Sequence, residues 1–177
     1  MGFRIAVGLA PLCGVLFSAC AFLSWPGSLP PRACPRTVVK VVYIDASGTI
    51  PDPFAERYTI TPDEIRFERT GDVDGPVNRG VWVIEASPEP VRELFDELGT
   101  VNCRQIRPIF PAGWPDMAPI GGGSRSYIIE GEDGTVFELR FAEGVTYRNA
   151  QAITDPIREF LAAFELPPEA RGPYLDP

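Results

Sequence analysis

The chain has 177 residues, is 45% hydrophobic and 23% charged, carries a net charge of −8 and has no histidine. One domain with a substantial core fits that size and composition, and the acidic balance argues against nucleic acid as a partner, because polyanions would repel it. Without histidine there is no Ser-His-Asp or Cys-His nucleophile pair, no His-ligated zinc and no imidazole acid-base chemistry.

The first two dozen residues stand apart from any fold. After Met-Gly-Phe-Arg comes IAVGLAPLCGVLFSACAFLSW, apolar or small from Ile5 to Trp25 and free of charge. A basic start, an apolar core and small residues at its end are the pattern of a secretory signal. Three outcomes follow from that pattern. Leu16-Phe17-Ser18-Ala19-Cys20 resembles the lipobox of bacterial lipoproteins, with Phe17 standing where that pattern usually has Leu. The resemblance implies removal of residues 1–19 as a signal peptide, a diacylglyceryl group on the Cys20 sulfur and an acyl chain such as palmitate on its amine. Ala19-Cys20-Ala21 is also an A-x-A site, whose cleavage would release a soluble protein. The uncleaved run, at roughly 20 apolar residues, would be long enough to anchor in a bilayer. All three outcomes export the domain, to face the periplasm or the exterior.

A tether follows over 20–36. Residues 25–35 hold four prolines, which favour extended polyproline geometry. With Cys13 removed and Cys20 lipidated, Cys34 and Cys103 remain, and an oxidising compartment suggests a disulfide between them.

An α+β domain is expected over 37–166, with a short tail over 167–177. Thr37–Ile44, TVVKVVYI, is a β-branched run with the character of a buried strand. Tyr58–Ile60 and Glu64–Arg69 alternate apolar and polar residues around Thr61-Pro62-Asp63, which predicts an antiparallel hairpin. Val81–Ala86 predicts another strand. Ser87 and Pro88 then start a helix whose apolar face is Val91, Leu94, Phe95 and Leu98, with Gly99 to close it. The order recurs later. Tyr127–Ile129 and Thr135–Phe141 form a hairpin, Val145–Asn149 a strand, and Thr154 or Asp155 caps a helix with Pro156 near its start. Ile157, Phe160, Leu161 and Phe164 are its apolar face.

The two helices also share wording, EPVRELFDEL at 89–98 and DPIREFLAAF at 155–164. The recurrence admits an internal duplication of a hairpin-strand-helix unit, and equally the general grammar of amphipathic helices. Either way, two one-sided helices covering one face of an antiparallel sheet of six to seven strands make a two-layer α+β sandwich. Arg92, Glu93, Arg158 and Glu159 fall off the apolar stripes and are expected in solvent.

Candidates for chemistry are few. Asp72, Asp74, Gly75 and Asn78 offer oxygens, but Val77 and Val83 occupy the places where a calcium loop needs Gly and Glu. No cofactor or metal is expected. The segment 106–120, IRPIFPAGWPDMAPI, is the unusual one: Phe110, Trp114 and Met117 lie among four prolines in a long connection. Exposed, these three would form a binding patch; folded back, Phe110 and Trp114 would plug the open end of the sheet. The expected function is a non-catalytic binding or accessory module of the bacterial envelope, held at the membrane through its N-terminus and meeting an envelope protein or polymer. The alternative is a carboxylate-dependent hydrolase of envelope glycans or other polymers.

Overall fold

A computed structural model describes residues 34–47, 54–71, 78–114, 123–142 and 144–170. Cys20, Met117 and the Asp72–Val77 stretch lie outside the described residues.

Among the described residues, eight strands, two helices and two short 3-10 turns follow in the order β1 (Val38–Ser47), β2 (Phe54–Ile60), β3 (Glu64–Thr70), β4 (Gly80–Glu85), α1 (Pro88–Gly99), β5 (Arg107–Ile109), β6 (Ser124–Gly131), β7 (Val136–Phe141), β8 (Thr146–Arg148) and α2 (Gln151–Ala163), the turns being Cys103–Gln105 and Pro168–Ala170. Six strands make one antiparallel sheet in the order β4-β3-β2-β1-β6-β7, and β5 pairs with β8 in a separate two-stranded ribbon. Both helices join one buried cluster with a single face of the large sheet, through Val91, Leu94, Phe95 and Leu98 from α1 and Ile153 and Ile157 from α2. This is the expected two-layer α+β sandwich. The other face carries ion pairs, among them Lys40–Glu130 at 3.0 Å and Arg66–Glu68 at 2.8 Å, in keeping with a sheet wet on one side.

The second hairpin-strand-helix unit differs from the first in space. The run at 145–149 does not extend the large sheet: only Thr146–Arg148 is extended, and it pairs with β5. The large sheet itself excludes a rigid repeat. Strands β2 and β6 both flank β1 and run antiparallel to it, with β3 outside β2 and β7 outside β6. The rotation that carries β2 onto β6 and β3 onto β7 turns the sheet over, which would place the helices on opposite faces. They share one face, so the recurrence is one of chain order.

Helix α2 also starts earlier than its sequence suggests. Asn149 takes a left-handed φ of 58°, a conformation Asn tolerates better than most side chains. It turns the chain out of β8 so that Ala150 caps the helix and Ile153 enters the core, fully buried. Pro156 therefore lies inside the helix rather than at its start. Gly99 is the last residue of α1 and not a left-handed cap: a Cβ there would sit 2.7 Å from the Arg36 carbonyl oxygen. A Cβ on Gly131 would meet Pro35 at 2.6 Å. These two glycines make room for residues 34–36, the end of the Pro-rich stretch.

The disulfide is present. Cys34 and Cys103 are joined with their Cα atoms 5.4 Å apart, within the usual range. The fold continues past α2 to Ala170, whose carbonyl accepts a 2.7 Å hydrogen bond from Arg69 Nη1. Asn78 Nδ2 donates to the Glu169 carbonyl at 2.8 Å.

Candidate functional site: an aromatic cleft between the sheet and the second helix

Side chains alternate along a strand, so residues two apart share a face. On the helix side, register stacks them into rows across the sheet. A mainly aliphatic row holds Ile65, Ile60, Val41 and Ile129 and ends on Phe137. The next row is Trp82, Phe67, Tyr58, Tyr43, Tyr127 and Leu139. Beyond it lie Arg69, Glu56, Asp45 and Arg125. The aliphatic row faces the helices in the core, whereas the aromatic and charged rows run toward an open cleft.

The aromatic row is continuous. Centroid separations are 5.5 Å for Phe67–Trp82, 4.6 Å for Tyr58–Phe67, 6.2 Å for Tyr43–Tyr58 and 5.1 Å for Tyr43–Tyr127. Phe141 meets Tyr127 edge-on at 5.8 Å and Tyr147 at 5.1 Å, carrying the contact from the sheet to the small ribbon. Separations of this size and tilt are favourable for aromatic pairs.

Charged side chains hold the row's outer edge. Tyr43 donates its hydroxyl hydrogen to Asp45 Oδ2 at 3.1 Å, and Arg125 Nε donates to the same oxygen at 3.0 Å. Arg69, only 2% exposed, gives Nε and Nη2 to Glu56 Oε1 at 2.9 and 2.8 Å and Nη1 to the Asn78 and Ala170 carbonyls. A buried guanidinium is costly unless its donors are occupied, and here both strand and C-terminal segment occupy them. Burial, with help from Asp45, pushes the Tyr43 phenol well above its ordinary pKa; burial, with help from Glu56, does the same for Tyr58. Burial also raises Tyr127, against the nearby charges of Arg125 and Arg158. All three stay protonated at neutral pH.

The cleft is about 530 Å³ in volume. Tyr43, Glu56 and Tyr58 form its sheet wall, and Asp155, Arg158, Glu159, Leu161 and Ala162 of α2 form the other. Three carboxylates and one guanidinium thus surround a floor of phenol rings. Such walls accept more hydrogen bonds than they donate, and the rings offer flat apolar contact. Among the described residues no three Asp, Glu or Cys side chains are grouped so as to hold a metal ion.

The residues singled out in the sequence are elsewhere. Phe110 is 40% exposed and stacks on the half-buried Trp114 at 5.6 Å. Neither lines the cleft. Arg158 and Glu159 are exposed, as expected, and also border the cleft, while Arg92 pairs with Glu89 at 3.7 Å on an exposed helix surface. Sequence reasoning missed the aromatic row, although a signal was present. Tyr43-x-Asp45, Glu56-x-Tyr58, Phe67-x-Arg69 and Arg125-x-Tyr127 put an aromatic and a charge two apart on four different strands.

No family model, curated protein or solved structure matches this chain.

Proposed function

We propose that this protein is an exported, membrane-anchored binding module of the bacterial cell envelope, and that its ligand enters the cleft between the sheet and α2. The carrying observation is the convergence of Tyr43, Tyr58, Glu56, Asp155, Arg158 and Glu159 on one opening. Aromatic floors with a few convergent polar groups are the usual form of a small-ligand site. Acceptor-rich walls favour a ligand rich in donors, such as the hydroxyls and amines of envelope polymers. Export is supported by the N-terminal run with its lipobox-like end, and by the Cys34–Cys103 disulfide, which suits an oxidising compartment.

Two measurements test this. Intact mass of the protein from its own host should give a diacylglyceryl adduct on a chain beginning at Cys20; an unmodified chain starting at Met1 or Phe22 rejects the lipid anchor. Capture of soluble envelope fragments by the native chain should fall at least tenfold in an Asp155→Asn, Glu159→Gln variant, whose exposed positions spare the fold. Equal capture by both proteins rejects the cleft.

One observation favours a second reading, a carboxylate hydrolase. Glu56, Asp155 and Glu159 share the cleft, and glycoside cleavage uses two carboxyl groups about 5–9.5 Å apart across the scissile bond. New reducing ends released from envelope glycans by the native chain, and lost with Glu159→Gln, would establish it.

A further inference from the structure

The chain as a whole is acidic, at −8, yet arginines gather on and beside its small two-stranded ribbon. In the β5–β8 ribbon Arg107 stands directly opposite Arg148, and Ile109 opposite Thr146. Opposed residues of an antiparallel pair project from the same face, so both guanidinium groups and Ile109 share the outer one. Tyr147 takes the inner face, its hydroxyl hydrogen-bonded to the Arg140 backbone. Arg104 precedes β5 in the Cys103–Gln105 turn, and Asn149 Nδ2 donates to the Gln105 carbonyl at 3.2 Å, which ties that turn to the end of β8. Arg104, Arg107 and Arg148 are all exposed and have no ion-pair partner among the described residues. On the same face Ile109 is 48% exposed, and Phe110, the next residue in the chain, is 40% exposed and stacked on Trp114.

Two like charges directly opposite each other across a strand pair are unfavourable unless something answers them. Three arginines beside exposed Ile109 have the composition of a surface that meets anionic headgroups, the cations attracted by the lipid charge and the apolar side chain seated at the interface.

The disulfide decides what lies nearest. The segment leading from Cys20 toward the domain ends at Cys34, and Cys34 is bonded to Cys103, the residue before Arg104. The chain from the anchor therefore enters the domain beside the arginines. From Cys20 to Cys34 there are 14 residues, a reach of roughly 40 Å at about 3.1 Å per residue for Pro-rich chain. Within that radius a weak surface contact becomes effectively intramolecular. The acidic remainder of the domain would be repelled by the same lipid charge, which also turns the arginines inward.

We propose that the outer face of the ribbon, with Arg107, Arg148 and Ile109, and Arg104 in the turn before it, docks the domain onto the anionic headgroups of the membrane that holds its anchor. This rests on the N-terminal anchoring proposed above. Docking sets the ribbon against the bilayer and holds the domain in one orientation.

The test uses the full lipidated chain on supported bilayers, with neutron reflectometry reading the water gap between headgroups and domain. On a phosphatidylcholine bilayer rich in phosphatidylglycerol the gap should close. On phosphatidylcholine alone it should open to as much as roughly 40 Å, and high salt should open it on the anionic bilayer too. Replacing Arg104, Arg107 and Arg148 with Gln should shift the ratio of docked to undocked protein by about fivefold per arginine. The lipid and salt comparisons use the native chain, so they decide the matter even if the variant misfolds. Protein that stays on both native bilayers at one height overturns the docking surface while sparing the anchor. Protein that washes off both overturns the anchor, and this proposal with it. Arginine-dependent capture of a soluble acidic polysaccharide or oligonucleotide, with unchanged height on anionic lipid, overturns the lipid as occupant.

Discussion

Helices α1 and α2 carry the same Arg-Glu pair, two residues after Pro90 and Pro156 respectively, and the two pairs meet different surroundings. Arg92 and Glu93 project into water. Arg158 and Glu159 form part of a cleft wall. What separates them is the strand surface opposite each helix: next to α2 the sheet offers Tyr43, Tyr58 and Glu56 across a gap. The setting of a surface pair depends on what stands across from it, so matching words in a sequence do not imply matching surroundings.

The largest effect falls on the α1 side alone. The disulfide ties the start of β1 to the turn after α1, across a sequence separation of 69 residues. Loop-closure entropy predicts that replacing Cys34 and Cys103 with Ser costs about 4 kcal/mol, measured by urea unfolding, and that reductant lowers the native chain's midpoint in the same way. An unchanged midpoint would mean that the reduced chain retains an equivalent constraint. Next in size are Leu98→Ala in α1 and Ile157→Ala in α2. Both side chains are essentially buried, so each truncation should cost about 3 kcal/mol. A large inequality would show that one helix is only loosely held to the sheet.

The prolines sharpen the contrast further. Pro88 and Pro90, the counterpart of Pro156, both lie in the first turn of α1, where a missing N–H costs little. Pro156 is interior to α2 and withholds a helical hydrogen bond. Pro156→Ala should stabilise the protein by about 1–2 kcal/mol, after allowing for the freer unfolded chain, whereas Pro88→Ala should be nearly neutral. Thermal unfolding of the two variants gives the comparison directly. A destabilised Pro156→Ala protein would mean that the ring packs usefully against the sheet.

The cleft side has its own pH signature. Tyr43, Tyr58 and Tyr127 hold their protons in the folded state beyond the ordinary phenol value of 10.0. The unfolded chain releases those protons first, so their contribution is complete below pH 10.0 and is lost as the pH rises through the higher folded values. Stability measured against pH should decline above that point, and Tyr43→Phe should flatten part of the decline. The smallest stability effects belong to Arg92→Ala and Arg158→Ala, each within about 0.5 kcal/mol of the native chain. Only Arg158→Ala should alter ligand capture, and equal binding by the two variants would erase the functional contrast between the helices.

Most of the sheet was legible from alternation and from β-branched runs. TVVKVVYI, EIRFER and TVFELRF became strands at those places, and the apolar stripe of α1 became its buried face. The start of α2 was harder to see because Asn149 and Pro156 mislead in opposite directions. A left-handed Asn resembles a loop residue and an interior proline resembles a helix start, yet burial of Ile153 outweighs both. The cleft was harder still. Each strand contributes only an aromatic and a charge two positions apart, and nothing local says which strands are neighbours.

By itself the sequence determined the class of fold, the two covering helices, the absence of imidazole chemistry and the expectation of a Cys34–Cys103 disulfide, because these depend on residue type and on short-range periodicity. Tertiary structure decided which strands lie side by side and in what register. From that alone come the Trp82-to-Tyr127 aromatic row, the cleft beneath α2 and the opposition of Arg107 to Arg148. Register is set by the long-range fit of buried side chains, and a one-residue slip would send every one of those groups to the other face.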